Sequence, residues 1–559
     1  MNIGSEAQYR NMVNELNVDE GESSEPVSPT GQYFNSSVLS ICVLAVLDSD
    51  IPIDDSPALA LLKDVFLPIN PRFSSLMVKD ENGVKQWKKV EVKLEDHVNI
   101  PNFPPGLSPE SYDNHLSNYL SKIAMEQLPH NRPLWNIHII KYPTSNAAGN
   151  LIFKLHHSLG DGFSLMGALL SCLQRADNPS VPLTFPSLTS APTTTSLSLK
   201  TNCIFKNIPN VLWSAFNTVS DFGWSLLKSS YVEDDISLIR SGGPGVEFKP
   251  IVVSTMTFSL DHIKQIKTKL GVTINDVITG IIFFGTRLYM QGGSNKLNSE
   301  NSTALVLLNT RNIGGYKSVK EMVKPDPESA WGNQFGFLHV SLPELTTVES
   351  CKPLDFVWKA QKLIQRKRNS RAVFLTGQLL ECLRKFTGPE RHQRISPTLH
   401  CFYIISRVKT TSFLESKERS TLPLDVLNKD AKGKKTLDAK VKSTVPHDTL
   451  EKDTEMKKIS MQKRKTTAKY IHSTLKNSSM TISNVIGPVE RMALANHPIK
   501  SLYFMVVGVP QSLTITMVSY MGKLRIAVGT EKDYIDLPKF KSSIKNAFEM
   551  ILKATHETV

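Results

Sequence analysis

At 559 residues, 40% hydrophobic and 21% charged, the chain is long enough for two domains and too apolar to be disordered throughout. A net charge of +13 points first to nucleic acid or an anionic surface, but residues 391–465 hold 18 Lys and Arg against 9 Asp and Glu. Nine of the thirteen charges therefore sit in one segment, which argues against nucleic acid as a partner. Six cysteines without a CxxC pair predict reduced thiols in a cytosol-facing compartment. Residues 1–25 read as a flexible polar leader with no secretory signal, and no uncharged apolar run reaches the length of a membrane span.

Residues 38–47 are the best apolar run and read as a buried strand. Residues 113–128 show helical spacing in Leu116, Leu120, Ile123 and Leu128. A short strand at 150–155 runs into His156-His157-Ser158-Leu159-Gly160-Asp161-Gly162, and helical spacing resumes from Phe163. A linker rich in Pro, Ser and Thr follows at 178–200. Residues 204–227 then read as an amphipathic helix interrupted by Asn217 and Asp221, packed between domains or lying on a membrane surface. The second half opens with a strand at 252–258 and a helix at 259–270 closed by Gly271. Thr273 caps the next helix, and strands follow at 305–308 and 337–342. Residues 502–509, 513–520 and 524–529 alternate like a meander, and a helix at 537–552 ends the chain. Strands and helices mix in both halves, so the class is α/β or α+β with two units. The units are 26–190 and 251–559, joined by a linker and helix at 191–250. The second is interrupted by 391–465, which is basic, aperiodic and expected to be disordered.

The motif at 156–162 sits on a strand-to-helix turn, which holds side chains rigidly while leaving them reachable. A histidine with a pKa near 7 suits removal of a hydroxyl proton as its oxygen attacks a carbonyl. The four-position spacing lets Asp161 support the backbone presenting His157, or cap the following helix. Gly160 and Gly162 supply unusual dihedrals and close approach. A metal site lacks a third spaced ligand, and no GxSxG serine points to an acyl-enzyme. Direct acyl transfer is the simpler chemistry.

These residues resemble the plant-type wax ester synthase/diacylglycerol acyltransferase family. His156 to Gly162 match its HHxxxDG motif at every fixed position. Pro26-Val27-Ser28-Pro29-Thr30-Gly31 looks like its N-terminal lead-in, and Arg132-Pro133-Leu134-Trp135 contains its PLW element. Asn275-Asp276-Val277 and Ser483-Asn484-Val485-Ile486-Gly487-Pro488 match its NDV and SNxxGP elements. The resemblance implies a two-domain chloramphenicol-acetyltransferase-like α/β fold with a tunnel at the domain interface. It implies long-chain acyl transfer from acyl-CoA, as co-substrate, to a fatty alcohol or diacylglycerol, with no permanently bound cofactor and no metal. It further implies a membrane surface as partner, on the cytosolic face of the endoplasmic reticulum or at the plasma membrane.

By the same resemblance His157 is the general base, His156 its support, and Asp161 a structural residue paired with an arginine of the second half. Arg311 in Asn309-Thr310-Arg311 is the expected arginine, against an exposed surface position. Pro133 and Trp135 shape the pocket wall or lie in plain core. Asn275 and Asp276 hold the domain interface or cap a helix, and Ser483 and Asn484 lie near the tunnel mouth. The 391–465 stretch has no family counterpart and is either a natural loop or retained non-coding sequence. A smaller hydroxylated acceptor, or a non-catalytic lipid- or CoA-binding relative, are the competing functions.

Overall fold

A computed structural model describes residues 25–36, 39–79, 85–181, 183–184, 204–292, 301–311, 331–345, 352–370, 372–376 and 470–557. The chain divides into two units, one of residues 1–377 with 467–559 and the other of 378–466. All the described residues belong to the first, and the 391–465 stretch lies outside them.

Two large sheets carry the fold. The first is built from β1 (Cys42–Ser49), β2 (Val98–Asn99), β3 (Trp135–Ile140), β4 (Gly149–His156) and β5 (Gln174–Arg175). The second takes β6 (Ile251–Ser259), β7 (Thr303–Asn309), β8 (Phe335–Ser341) and β9 (Met480–Ile486). Near the end of the chain come β10 (Met492–Leu494), β11 (His497–Val507), β12 (Leu513–Tyr520) and β13 (Lys523–Glu531). The strand orders are β2-β3-β4-β1-β11-β10-β5 and β8-β7-β9-β12-β13-β6. Every residue of β1 and β4 is buried, so these strands read as apolar runs rather than as alternation.

The order overturns the expected meander. β12 and β13 form an antiparallel hairpin in the second sheet, but β11 leaves it and pairs with β1, Phe504 opposite Ala45. Gly508, at φ +79°, turns the chain there, and a Cβ on it would collide with the Ser40 carbonyl. Residues 26–190 thus do not complete their own sheet, since β10 and β11 come from the C-terminal half. Each sheet keeps its own apolar core, yet Val518, Tyr520 and Ala527 pack into the first.

Helices follow local signals closely. α1 (Pro109–Met125) is capped by Ser108, and α2 (Gly162–Ser171) by Asp161, whose side chain accepts from Ser164 N. α3 spans Ile204–Ser230. α4 (Leu260–Leu270) stops at Gly271 in the left-handed region, and α5 (Ile274–Gln291) begins with a reciprocal capping box between Thr273 and Asp276. α6 (Pro353–Asn369) and α7 (Leu537–Glu557) pack against α5.

Asp221 does not interrupt α3. It is buried and accepts from Arg366, at 3.2 Å, and Lys367, at 2.7 Å, both on α6. Lys228, near the end of α3, pairs with buried Asp234, which also accepts from Thr303 and Ser479. One face of the helix is thereby tied to the second half, while Val219, Trp224 and Leu227 stay exposed. Among the described residues no single helix is long and apolar enough to cross a membrane.

Candidate active site

His156 ends β4 and His157 opens the turn after it, and the two motif histidines meet different surroundings. His156 is sealed. Its Nδ1 lies 3.1 Å from Ser158 N, which donates to it, and its Nε2 lies 3.4 Å from Ser40 Oγ. Burial above all, then the neighbouring His157, pushes its pKa down to about 3, so it stays neutral. His157 packs between Phe34 and Phe335, with ring centroids 4.7 and 5.5 Å away. Its main-chain N donates to Ile41 O at 2.9 Å, and its Nδ1 lies 2.9 Å from Asn333 Oδ1. Burial lowers its pKa below the usual histidine value, and the Asp161 charge and the Asn333 hydrogen bond pull the other way.

The Asp161 carboxylate is held by groups other than the ring. Arg311 donates to both its carboxylate oxygens, Nη1 to Oδ2 at 2.6 Å and Nη2 to Oδ1 at 2.9 Å. Gln334 N adds a third donor at 2.9 Å, and Ser164 N a fourth at 3.1 Å. Arg311 also donates to Gly332 O and lies over the Phe163 ring at 4.8 Å. The structure therefore places Arg311 against the motif aspartate rather than on the surface. Both side chains are at most 6% exposed.

Other expected site residues fall elsewhere. Trp135 is fully buried, donates to Phe73 O at 2.9 Å and stacks on His97. Neither it nor Pro133 is among the residues lining the cavity beside His157: Trp135 belongs to the core of the first sheet, because β3 is an interior strand, and Pro133 is buried just ahead of that strand. Asp276 is spent on the α5 capping box and not on an interface. Asn275 accepts from Asn484 Nδ2 at 2.7 Å, tying the start of α5 to β9. Gly160 and Gly162 both have ordinary φ. Gly160 is required by space, since a Cβ would sit 2.8 Å from Ser164 Cβ, whereas Gly162 has room.

A cavity of about 160 Å³ opens beside His157. Its apolar wall is a block of alternate residues on three adjacent strands: Val43 and Ala45, Phe153 and Leu155, Phe504 and Val506. Leu165, Met166 and Leu169 of α2 also line it, and Arg311, Ser483 and Asn484 add polar groups. Sequence reasoning missed Phe34, Ser164, Asn333 and Phe335. Gly332-Asn333 was the available signal for one of them, since glycine before an amide marks a tight turn.

Comparison with known proteins supplies the family. Residues 42–278 match the model of the wax ester synthase/diacylglycerol acyltransferase catalytic domain. Residues 331–414 and 439–552 match the WS/DGAT C-terminal domain. That match runs into the 391–465 stretch from both ends, so only 415–438 lacks a counterpart there, a narrower gap than the sequence suggested. Wax ester synthase/diacylglycerol acyltransferase 4 of Arabidopsis thaliana is 26% identical over 540 residues, covering 93% of this chain and 88% of that protein. Number 11 of the same plant is 25% identical, covering 95% and 96%. A solved wax ester synthase/diacylglycerol acyltransferase from Marinobacter aquaeolei VT8 superposes with a TM-score of 0.50 at 14% identity, over 95% of this chain and 99% of that one. The expected chloramphenicol-acetyltransferase-like fold is thus the one present. The chain belongs to the wax ester synthase/diacylglycerol acyltransferase family and is an acyl-CoA-dependent O-acyltransferase.

Proposed function

We propose that this enzyme esterifies a long-chain alcohol or diacylglycerol, with His157 as the general base. The observation that carries the reading is the His157 imidazole, one nitrogen engaged by Asn333, at the edge of a cavity walled by Val43, Ala45, Phe153, Leu155, Phe504 and Val506. The other nitrogen, Nε2, takes the hydroxyl proton as the alcohol oxygen attacks the thioester carbonyl. The tetrahedral intermediate collapses, the carbon–sulfur bond breaks, and the imidazolium returns the proton to the departing thiolate. Ester and free coenzyme A leave, and no covalent enzyme intermediate is needed. A positioned base of this kind is worth roughly 10²–10⁴-fold in rate. Asp161, saturated by four donors, acts as a structural post for the turn.

The apolar wall favours long-chain substrates over small polar acceptors. Such substrates reside in membranes, and the exposed Val219, Trp224 and Leu227 of α3 give the protein an apolar face for a lipid surface. On this reading the enzyme works at a membrane, and the resemblance offers the cytosolic face of the endoplasmic reticulum or the plasma membrane. The buried free thiols Cys42 and Cys172 are in keeping with a reducing compartment. Release of free thiol from acyl-CoA, followed across a panel of alcohols and diacylglycerol, tests the activity. His157→Ala should abolish most of it in a folded protein, and wild-type turnover in that variant would remove His157 from the reaction.

A further inference from the structure

Four consecutive residues of the C-terminal half each bond the turn that carries His157. Trp331 Nε1 donates to Leu159 O at 2.9 Å. Gly332 O accepts from Asp161 N and from Ser164 Oγ. Asn333 meets His157 at both ends, and Gln334 N donates to Asp161 Oδ2. Gly332 takes φ +114°, a conformation other residues rarely adopt, and that kink lets its neighbours point at the turn.

The Asn333 contact has only one consistent polarity. Its Nδ2 lies 2.9 Å from His157 O, and a carbonyl can only accept, so the amide nitrogen must face that oxygen. The amide Oδ1 then faces the ring, 2.9 Å from Nδ1, and an amide oxygen can only accept as well. Nδ1 must therefore carry the proton. The lone pair is left on Nε2.

We propose that Asn333 is the positioning residue for His157, holding the ring in the tautomer whose Nε2 can accept the substrate proton and fixing its direction from the opposite half of the molecule. The proposal rests on the reading of His157 as base. Without Asn333 both tautomers become accessible, and the one protonated at Nε2 cannot act as a base. The titratable groups near the ring are Asp161, paired with Arg311, and the neighbouring His156, which stays neutral; Phe34 and Phe335 bring none. Asn333 is thus the partner through which the ring's proton affinity can be altered without breaking the Asp161–Arg311 pair.

The test measures kcat, KM for acyl-CoA and the pH dependence of kcat/KM in the full chain. Asn333→Leu should lower kcat by about 10- to 100-fold, by analogy with metal-bound histidines that lose their supporting hydrogen bond, with KM within twofold of wild type. Asn333→Asp keeps the shape and the acceptor but adds a negative charge beside Nδ1–H. It should move the acid limb of kcat/KM to higher pH, which loss of packing alone would not do. If the Leu variant fails to fold, the near-isosteric Asp variant carries the test alone. An acid limb at the wild-type position in Asn333→Asp, or kcat within twofold of wild type in a folded Asn333→Leu, overturns the proposal. His157→Ala run alongside separates the cases. Activity lost there but unaffected by Asn333 leaves the base assignment standing, and activity retained there removes both.

Discussion

Arg311 closes a bidentate ion pair on Asp161 across 150 residues of sequence, with both side chains buried. Breaking such a pair from one side strands a charge, which typically costs about 3–5 kcal/mol. Arg311→Leu should lower unfolding stability by that order in denaturant titration and take activity with it, because the His157 turn hangs on the same contacts. Adding Asp161→Asn should recover part of the stability by removing the stranded charge. Equal stability in the single and double variants would show that the pair is not what holds the turn.

The acid limb of kcat/KM should lie below pH 6.5. Only neutral His157 can accept a proton, and burial depresses its pKa, so the base persists to lower pH than a free histidine would. A limb at or above 6.5 would contradict this.

Stability should also fall in acid. His138 and His339 are pushed down to about 4 and His156 to about 3, all by burial first. Above pH 6.5 both folded and unfolded states leave them neutral. Below it the unfolded chain binds protons that the folded one refuses, so stability is lost as pH drops from 6.5 toward 3–4. Each contributes a slope of roughly 1.4 kcal/mol per pH unit across that window. Denaturation midpoints at pH 7, 5.5 and 4.5 measure it.

The two motif glycines should separate. Gly160→Ala forces a methyl to 2.8 Å from Ser164 Cβ and should cost about 1–3 kcal/mol, the usual range for overpacking. Gly162→Ala meets nothing closer than Val485 at 3.5 Å, at the first position of α2, and should leave the melting temperature unchanged or slightly raised. A similar loss in both would show that the motif's glycines serve some purpose other than space.

Trp224→Glu and Leu227→Glu should reduce flotation of the protein with lipid vesicles, while thiol release with a water-soluble short-chain alcohol stays at the wild-type level. Both side chains are at least 41% exposed, so neither change should disturb the core. Unchanged flotation would move membrane contact away from α3.

Much of this site was legible from short-range chemistry. A turn between an apolar strand and a helix, Asp161 as its cap, the Thr273–Asp276 box and the stop at Gly271 are all set by residues within four positions of each other. Nearest-neighbour sterics and capping decide such features, so the sequence by itself determined them. Which sheet β11 joins is another matter, since an apolar strand satisfies either neighbour and only the packing of β1 selects it. The burial of Trp135, the choice of Asp276 as a cap and the pairing of Asn333 with a ring 176 residues away were likewise decided only by tertiary structure. Contacts over that separation depend on how two sheets meet, and a local pattern carries no record of it.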